Sequence, residues 1–382
     1  MDILSLTKRY SSGYKEIQST IMKEILHYEL LNCLFQNKET LQGLAFSGGT
    51  ALRLCYGGVR YSEDLDFAII DGYDFDFSIM DKFAIDIKQK IKQKFGLEVK
   101  VKNESLNKPN DMVQRWSTKV AVQYPKKEQE RQPIINIEIS RFNSFDASLK
   151  QIRNIYTESE NALMLNVESL EEIFVGKIIA FGHRRDRNTQ DLQIKYRDIW
   201  DIKFLIDNNI ALDLDLFLTK ADNSKERNKG SLKNNLQTKI KMLNEPQSSN
   251  AFYGELKRFL NKQDYDKIVN IDYFDNLKKE ITKFVNKIII KLDEIDKLQV
   301  HLANENPNVI DDKAIQEQTP NDKPRTDFAG FEFTNTSGMD KLRDEALVKE
   351  QSSINTQKPT KNDGDKPDID EDKPSGPSGP RM

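Results

Sequence analysis

Apolar residues recur along this chain at two periods, and the switches between them mark out its elements. Ile17, Ile21, Ile25, Leu30, Leu31 and Leu34 return at helical spacing, which predicts helices across 12–38. His27 lies in that stretch and reads as a surface or packing residue rather than a ligand. Residues 41–46 predict a short strand. After a Gly-Gly turn, Ala51-Leu52-Arg53-Leu54 opens a helix, and Leu65, Phe67 and Ile69 then alternate with Asp64, Asp66 and Ala68, the period of a half-buried strand. A turn-rich acidic segment, Asp71 to Asp76, precedes an amphipathic helix over 80–94, with Phe83, Ile87 and Ile91 on one stripe. Strands are predicted at 97–101, 119–124 and 134–139. Residues 168–184 start acidic and end basic, matching a helix macrodipole. Ile199, Ile202 and Ile206 form the next packing stripe, and 212–302 reads as helical, closing on a long amphipathic run from Phe274 to Ile295.

Beyond Ala303 the periodicity stops. Pro, Asp, Lys, Asn, Ser and Gly take over, the composition of a disordered acidic tail. Its apolar island, Phe328–Phe333, reads more simply as an incidental patch than as a docking motif. Composition agrees: 37% hydrophobic and 31% charged residues are polar for a wholly folded chain, while 382 residues leave room for two domains besides. A net charge of −3 gives no global basic character, so nucleic acid would have to meet a local basic face. Cys33 and Cys55 make neither a disulfide framework nor a metal-ligand spacing, which suits a reducing compartment. No signal peptide is evident and no apolar run nears the roughly 18 residues of a membrane span, so a cytoplasmic protein without membrane contact is expected.

The chemistry concentrates between Phe46 and Ile70. Ser47-Gly48-Gly49-Thr50 makes a tight turn whose backbone N–H groups gather at a helix start, a setting suited to phosphate. Asp64 and Asp66 share one strand face and could share a hard cation such as Mg²⁺. A Gly-Gly turn or a D-x-D pair says little by itself; in order, on one turn–helix–strand unit, they say much more. In the strand at 134–139, Glu138 adds a third carboxylate, although an exposed edge glutamate would look the same. Lys177 sits among Leu170, Ile173, Phe174, Ala180 and Phe181, where it either snorkels along its stem or aims an ammonium into a cleft. Asp198 and Asp201 share a helix face with Leu205.

Three local patterns, GGTALRL…VRYSEDLDF, EEIFVGKIIAFGHR and YRDIWDI, resemble the AbiE-type toxin nucleotidyltransferases of bacterial abortive-infection and toxin–antitoxin systems, relatives of the mycobacterial MenT toxins within the polymerase-β-like superfamily. The motifs cover residues 40 to 210. The resemblance implies an α+β chain, with a small mixed or antiparallel nucleotidyltransferase sheet flanked by helices in 1–160 and a helical domain over 161–302; the tail from 303 to 382, disordered by composition, lies outside it. It implies that Ser47, Gly48, Gly49 and Thr50 bind nucleotide phosphates, together with Ser62 and Lys177. It implies Asp64 and Asp66 as metal ligands and catalytic residues, with Glu138 as a third ligand, Lys177 on the nucleotide, and Asp198 as the late catalytic acid, with Asp201 as the alternative. Mg²⁺ (or Mn²⁺), an NTP substrate, an RNA acceptor with the tRNA 3′ end as one candidate, a cognate antitoxin and a role in antiviral defence follow from the same likeness. The basic stretch Arg184–Arg187 and the Lys-rich residues 224–233 are candidate RNA contacts, against the plainer reading as solvated faces. Two other readings compete: a related enzyme that modifies a small molecule or a protein, and a non-catalytic nucleotide-binding module. The clustered like charges weigh against the second.

Overall fold

The computed structural model describes residues 2–305 apart from 109–110, 125–130, 153, 157–161, 187, 223–228 and 270–271. The tail beyond 305 with its Phe328–Phe333 island, Arg187, and the first part of the Lys-rich 224–233 stretch lie outside the described residues.

The fold is α+β, built on one mixed sheet of seven strands: β1 (Leu44–Ser47), β2 (Leu65–Ile70), β3 (Glu98–Asn103), β4 (Val113–Ala121), β5 (Ile134–Ser144), β6 (Ala147–Ile152) and β7 (Leu163–Glu168). Their spatial order is β3-β4-β5-β2-β1-β7-β6, with β1/β7 and β2/β5 parallel and the other pairs antiparallel. Twelve α-helices are described: α1 (Ile3–Tyr10), α2 (Gln18–Phe35), α3 (Lys38–Gly43), α4 (Gly48–Cys55), α5 (Ile79–Phe95), α6 (Leu170–His183), α7 (Tyr196–Asp207), α8 (Leu214–Asp222), α9 (Lys229–Leu243), α10 (Ser248–Leu256), α11 (Lys262–Val269) and α12 (Tyr273–Glu305).

The strands' alternation sorts the sheet into two faces. Phe46, Phe67, Ile139, Ile137 and Trp116 stand on the buried face, where Phe46 lies opposite Phe67, Phe67 opposite Ile139, and Ile137 opposite Trp116. The helix α2 is buried on nearly every side, Glu24, His27 and Glu29 included, and packs against α5 and β7. His27 is thus a packing residue, its Nε2 3.0 Å from the Glu63 carbonyl oxygen. At the other end, α6 packs on α7, α8 and α9, and Phe174 stacks on Phe284 of α12 with ring centroids 5.2 Å apart.

The polar face carries one residue from each of five strands in a transverse row. Ser47 lies opposite Asp66, Asp66 opposite Glu138, and Glu138 opposite Arg115, while Ser47 Oγ donates to the Glu168 carboxylate at the end of β7. Register alone assembles this row from positions 121 residues apart in the chain.

Several elements differ from the sequence reading. The strand expected at 119–124 begins at Val113, because buried Gln114 occupies a core-facing position and donates to the carbonyls of Lys108 and Asp111 at 3.1 and 3.0 Å. A satisfied polar side chain hides the alternation. The strands β6 and β7 and the helix α1 were not expected. β6 is a largely exposed edge strand without an apolar stripe, and α1 is an eight-residue helix started by Asp2, whose carboxylate accepts from the N–H groups of Leu4 and Ser5, both at 3.1 Å. Because β7 pairs with β1, the sheet continues past the boundary expected at residue 160.

Candidate active site

The row on the sheet meets the start of α4. Gly48 has φ +75°, a conformation that favours glycine, and a Cβ there would collide with Asp66 Oδ2. A Cβ on Gly49 would collide with Arg60 Nη2, and Ser62 Oγ lies close by. Close approach therefore sets both glycines, and at Gly48 the positive φ of the turn does so as well. Ser47 occupies the N-cap of α4 but makes no capping bond, since its hydroxyl is turned to Glu168. The positive end of α4 keeps its capacity for an anion. Thr50 is buried and its hydroxyl donates to the Asp64 carbonyl, tying the turn to the strand that carries the aspartates.

Asp64 immediately precedes β2 and Asp66 is its second residue. Asp64 Oδ1 accepts from Asn136 N at 3.2 Å and from Asn136 Nδ2 at 2.9 Å. Glu138 is held by Arg115 Nη2 at 2.7 Å. Burial, then the Glu138 and Asp64 carboxylates, push the Asp66 carboxyl up to about 7 against the pull of Lys177 and Arg184. Among the described residues no group of three or more His, Cys, Asp or Glu side chains converges tightly enough to hold a metal ion. The donor chemistry nonetheless fits a hard divalent cation: three neighbouring carboxylates, one of them destabilised as an anion by burial and then by the other two.

Across from this cluster, α6 and α7 bring in a chain of alternating charge. Arg60, 4% exposed, grips Asp201 with Nε and Nη2, both at 2.8 Å. Lys177 Nζ lies 2.6 Å from Asp201 Oδ2 and 3.7 Å from Asp198 Oδ1. Arg184 Nε lies 3.0 Å from Asp198 Oδ2, off the line of a hydrogen bond, so that buried oxygen has no hydrogen-bond donor among the described residues. Burial alone would raise the Asp201 carboxyl, but Arg60 and then Lys177 outweigh it and hold it at about 2. Lys177 neither snorkels to the surface nor stands alone: it is half-buried between two aspartates.

The structure thus brings Ser47, Gly48, Gly49, Thr50, Asp64, Asp66 and Glu138 together on the polar face of the central strands and the start of α4, with Lys177, Asp198 and Asp201 on the helices beside it. Arg60, Arg115 and Glu168 escaped the sequence reading. Arg60 stands inside the VRYSEDLDF stretch, four residues before Asp64, and could have been flagged by that position. Arg115 and Glu168 carry no local signal, because only the strand register brings them into the row. Arg184 stands at the end of α6, with Lys239 Nζ donating to its carbonyl at 2.8 Å.

A Gly-Gly helix start beside strand carboxylates and a helical lysine suits a nucleotidyltransferase. The model of the AbiEii nucleotidyl transferase toxin, Type IV toxin–antitoxin system, matches residues 29–285, and the chain belongs to that family. Among curated proteins nothing matches. Two solved structures are similar in part: a candidate nucleotidyltransferase from H. pylori, at 18% identity over 71% of this chain and 96% of that one with a TM-score of 0.36, and JHP933 from Helicobacter pylori, at 20% identity over 73% and 98% with a TM-score of 0.34. Among the described residues no helix is long and apolar enough to cross a membrane.

Proposed function

We propose that this toxin-family nucleotidyltransferase moves an NMP group from an NTP to an RNA acceptor, the 3′ end of tRNA being the first candidate. The observation that carries the reading is the meeting of an uncapped α4 start with Asp66, which lies against Gly48 and opposite Glu138 and whose charge is raised in energy by burial and then by Glu138 and Asp64. A triphosphate's oxygens suit the first; a divalent cation suits the second. Asp64 and Asp66, with Glu138 beside them, would hold Mg²⁺ or Mn²⁺, which supplies charge neutralisation at the phosphates and lowers the energy of an acceptor alkoxide.

In the transfer, the acceptor hydroxyl gives up its proton to solvent as its oxygen bonds to the α-phosphorus, the bond from that phosphorus to the bridging oxygen breaks, and pyrophosphate leaves. The chain's own contribution is positional and electrostatic. Ser47, Gly48, Gly49 and Thr50 present the helix start to the phosphates, and Ser62 offers a hydroxyl at its rim, while the Ser47 hydroxyl stays on Glu168. Lys177 supplies a cation already oriented by Asp198 and Asp201. Of the two late aspartates, Asp198 suits the catalytic role better: Arg60 and Lys177 take up both oxygens of Asp201, whereas Asp198 Oδ2, though buried beside Arg184, accepts no hydrogen bond among the described residues. The family places such an enzyme opposite an antitoxin. The antiviral role and cytoplasmic location belong to the same proposal.

The test is incubation of the purified protein with each α-labelled NTP, Mg²⁺ and total RNA. Label should enter RNA with one NTP preferred, and Asp64→Ala should abolish it. Label entering only protein or a small molecule would replace the acceptor in this reading.

A further inference from the structure

An RNA acceptor needs a surface that leads its end to Asp66, and the sheet supplies one outside the stretches that the sequence singled out. On the half formed by β3, β4 and β5 the strands alternate strictly. Val99, Trp116, Thr118, Val120, Ile135 and Ile137 are buried on the side of α5, while Lys100, Lys102, Lys119 and Ile134 stand exposed on the opposite side. That open face is continuous with the catalytic row, because Arg115 opposite Glu138, Ser117 opposite Asn136 and Lys119 opposite Ile134 all point the same way.

The carboxylates of this face are already paired. Glu98 meets Lys92 at 2.6 Å, Glu104 meets Lys102 at 2.5 Å, and Glu138 meets Arg115 at 2.7 Å. Two cations remain. Lys100 and Lys119 lie directly opposite each other across β3 and β4, and among the described residues no carboxylate pairs with either. Like charges in directly opposed positions destabilise a sheet. Lysines do protect exposed strand edges from pairing with other chains, but that use requires them only on the edge strand. Lys100 is on the edge strand β3; Lys119 is on β4, an interior strand, and edge protection does not call for it.

We propose that the open face of β3–β5 is the binding surface for the acceptor RNA strand, with Lys100 and Lys119 holding its phosphates; this rests on the RNA-acceptor reading above. A polyanion converts the repelling pair into a two-point clamp. Lys119 is four residues along β4 from Arg115, about 13 Å at the rise of a strand, so a strand clamped there can lay its terminus across Glu138 and Asp66. Ile134, 43% exposed beside Lys119, gives the sugars and bases an apolar surface between clamp and site. Phosphate contacts of this kind position a nucleic acid without reading its sequence.

The test uses the full chain with the substitutions Lys100→Gln and Lys119→Gln, singly and together. Affinity for a short fluorescein-labelled oligoribonucleotide and for bulk tRNA is followed by anisotropy across a salt series, alongside transfer kinetics and thermal melting. The double variant should raise the Kd and the acceptor KM by about tenfold and shallow the slope of log K against log[salt] by about 1.4, at about 0.7 per single-strand phosphate contact. The KM for NTP should stay unchanged and the melting temperature should not fall. Unchanged RNA affinity and salt slope in the folded double variant would overturn the surface while leaving the RNA reading intact. A wild-type protein that labels a protein and no RNA would overturn the reading beneath it.

Discussion

Asp66 and Asp201 are the same residue type in one molecule, and their surroundings push them in opposite directions. Asp66 sits in a row of like charges and is raised to about 7; Asp201 sits in a chain of alternating charges and is held at about 2. Burial opposes ionisation at both. What differs is the partner: Glu138 and Asp64 beside Asp66, Arg60 and Lys177 beside Asp201. In the alternating chain both oxygens of Asp201 are paired, which ties α7 to α6 and to the loop before β2. In the like-charged row the carboxylates repel one another, and in the proposed function that repulsion is what a cation would relieve.

The largest effect should come from breaking the row. Asp66→Asn should cut nucleotide transfer by at least the order of 10²–10³ associated with one electrostatic stabiliser. Because it also removes a repelled charge, the melting temperature should hold or rise. A variant that loses activity by melting would place Asp66 with the structural ion pairs and collapse the distinction.

Asp201→Asn should do the reverse. It leaves buried Arg60 without its carboxylate, a loss of about 3–5 kcal/mol for one partner of a buried pair. The sign with pH follows from the depressed carboxyl. Stability from Asp201 is complete above its unfolded value of 3.8 and is lost as pH falls through about 2. The gap in melting temperature between wild type and Asp201→Asn should therefore close on acidification over that window. A gap constant with pH would deny the ion pair.

Lys177→Met tests the residue that borders both regions. Asp201 keeps Arg60 in this variant, so the fold should survive. Nucleotide affinity and transfer should drop tenfold or more, on the order of the 1.5–3 kcal/mol of a charged hydrogen bond. Titration calorimetry with a non-hydrolysable NTP analogue and initial-rate measurements would read the two separately, and wild-type values in both would remove Lys177 from the site.

The smallest effect belongs to Arg115→Gln, which takes the one cation on the row away from Glu138. The pair is partly exposed, so its loss should cost only about 0.2–1 kcal/mol in melting experiments. Transfer should fall a few-fold or less. A collapse of activity would make Arg115 a substrate contact in its own right.

Local pattern determined a good deal of this protein. The alternation from Leu65 to Ile69, the Gly-Gly turn, and the helical spacing through 170–184 and 196–206 made β2, α4, α6 and α7 legible, and with them Gly48, Gly49, Asp64, Asp66, Lys177 and the two late aspartates. These are properties of periods of 2 and 3.6 residues, which a chain declares within one element. Tertiary structure decided the rest. Gln114 hid the start of β4 because its partners lie in a loop. Glu168 and Arg115 joined the carboxylate row only through strand order and register, and Lys100 met Lys119 only through the pairing of β3 with β4. Spacing says nothing of how differently Asp198 and Asp201, three residues apart on one helix, are surrounded. What separates their surroundings is Arg60, 141 positions from Asp201, because a charge is completed by whatever the fold sets against it and not by its neighbours in the chain.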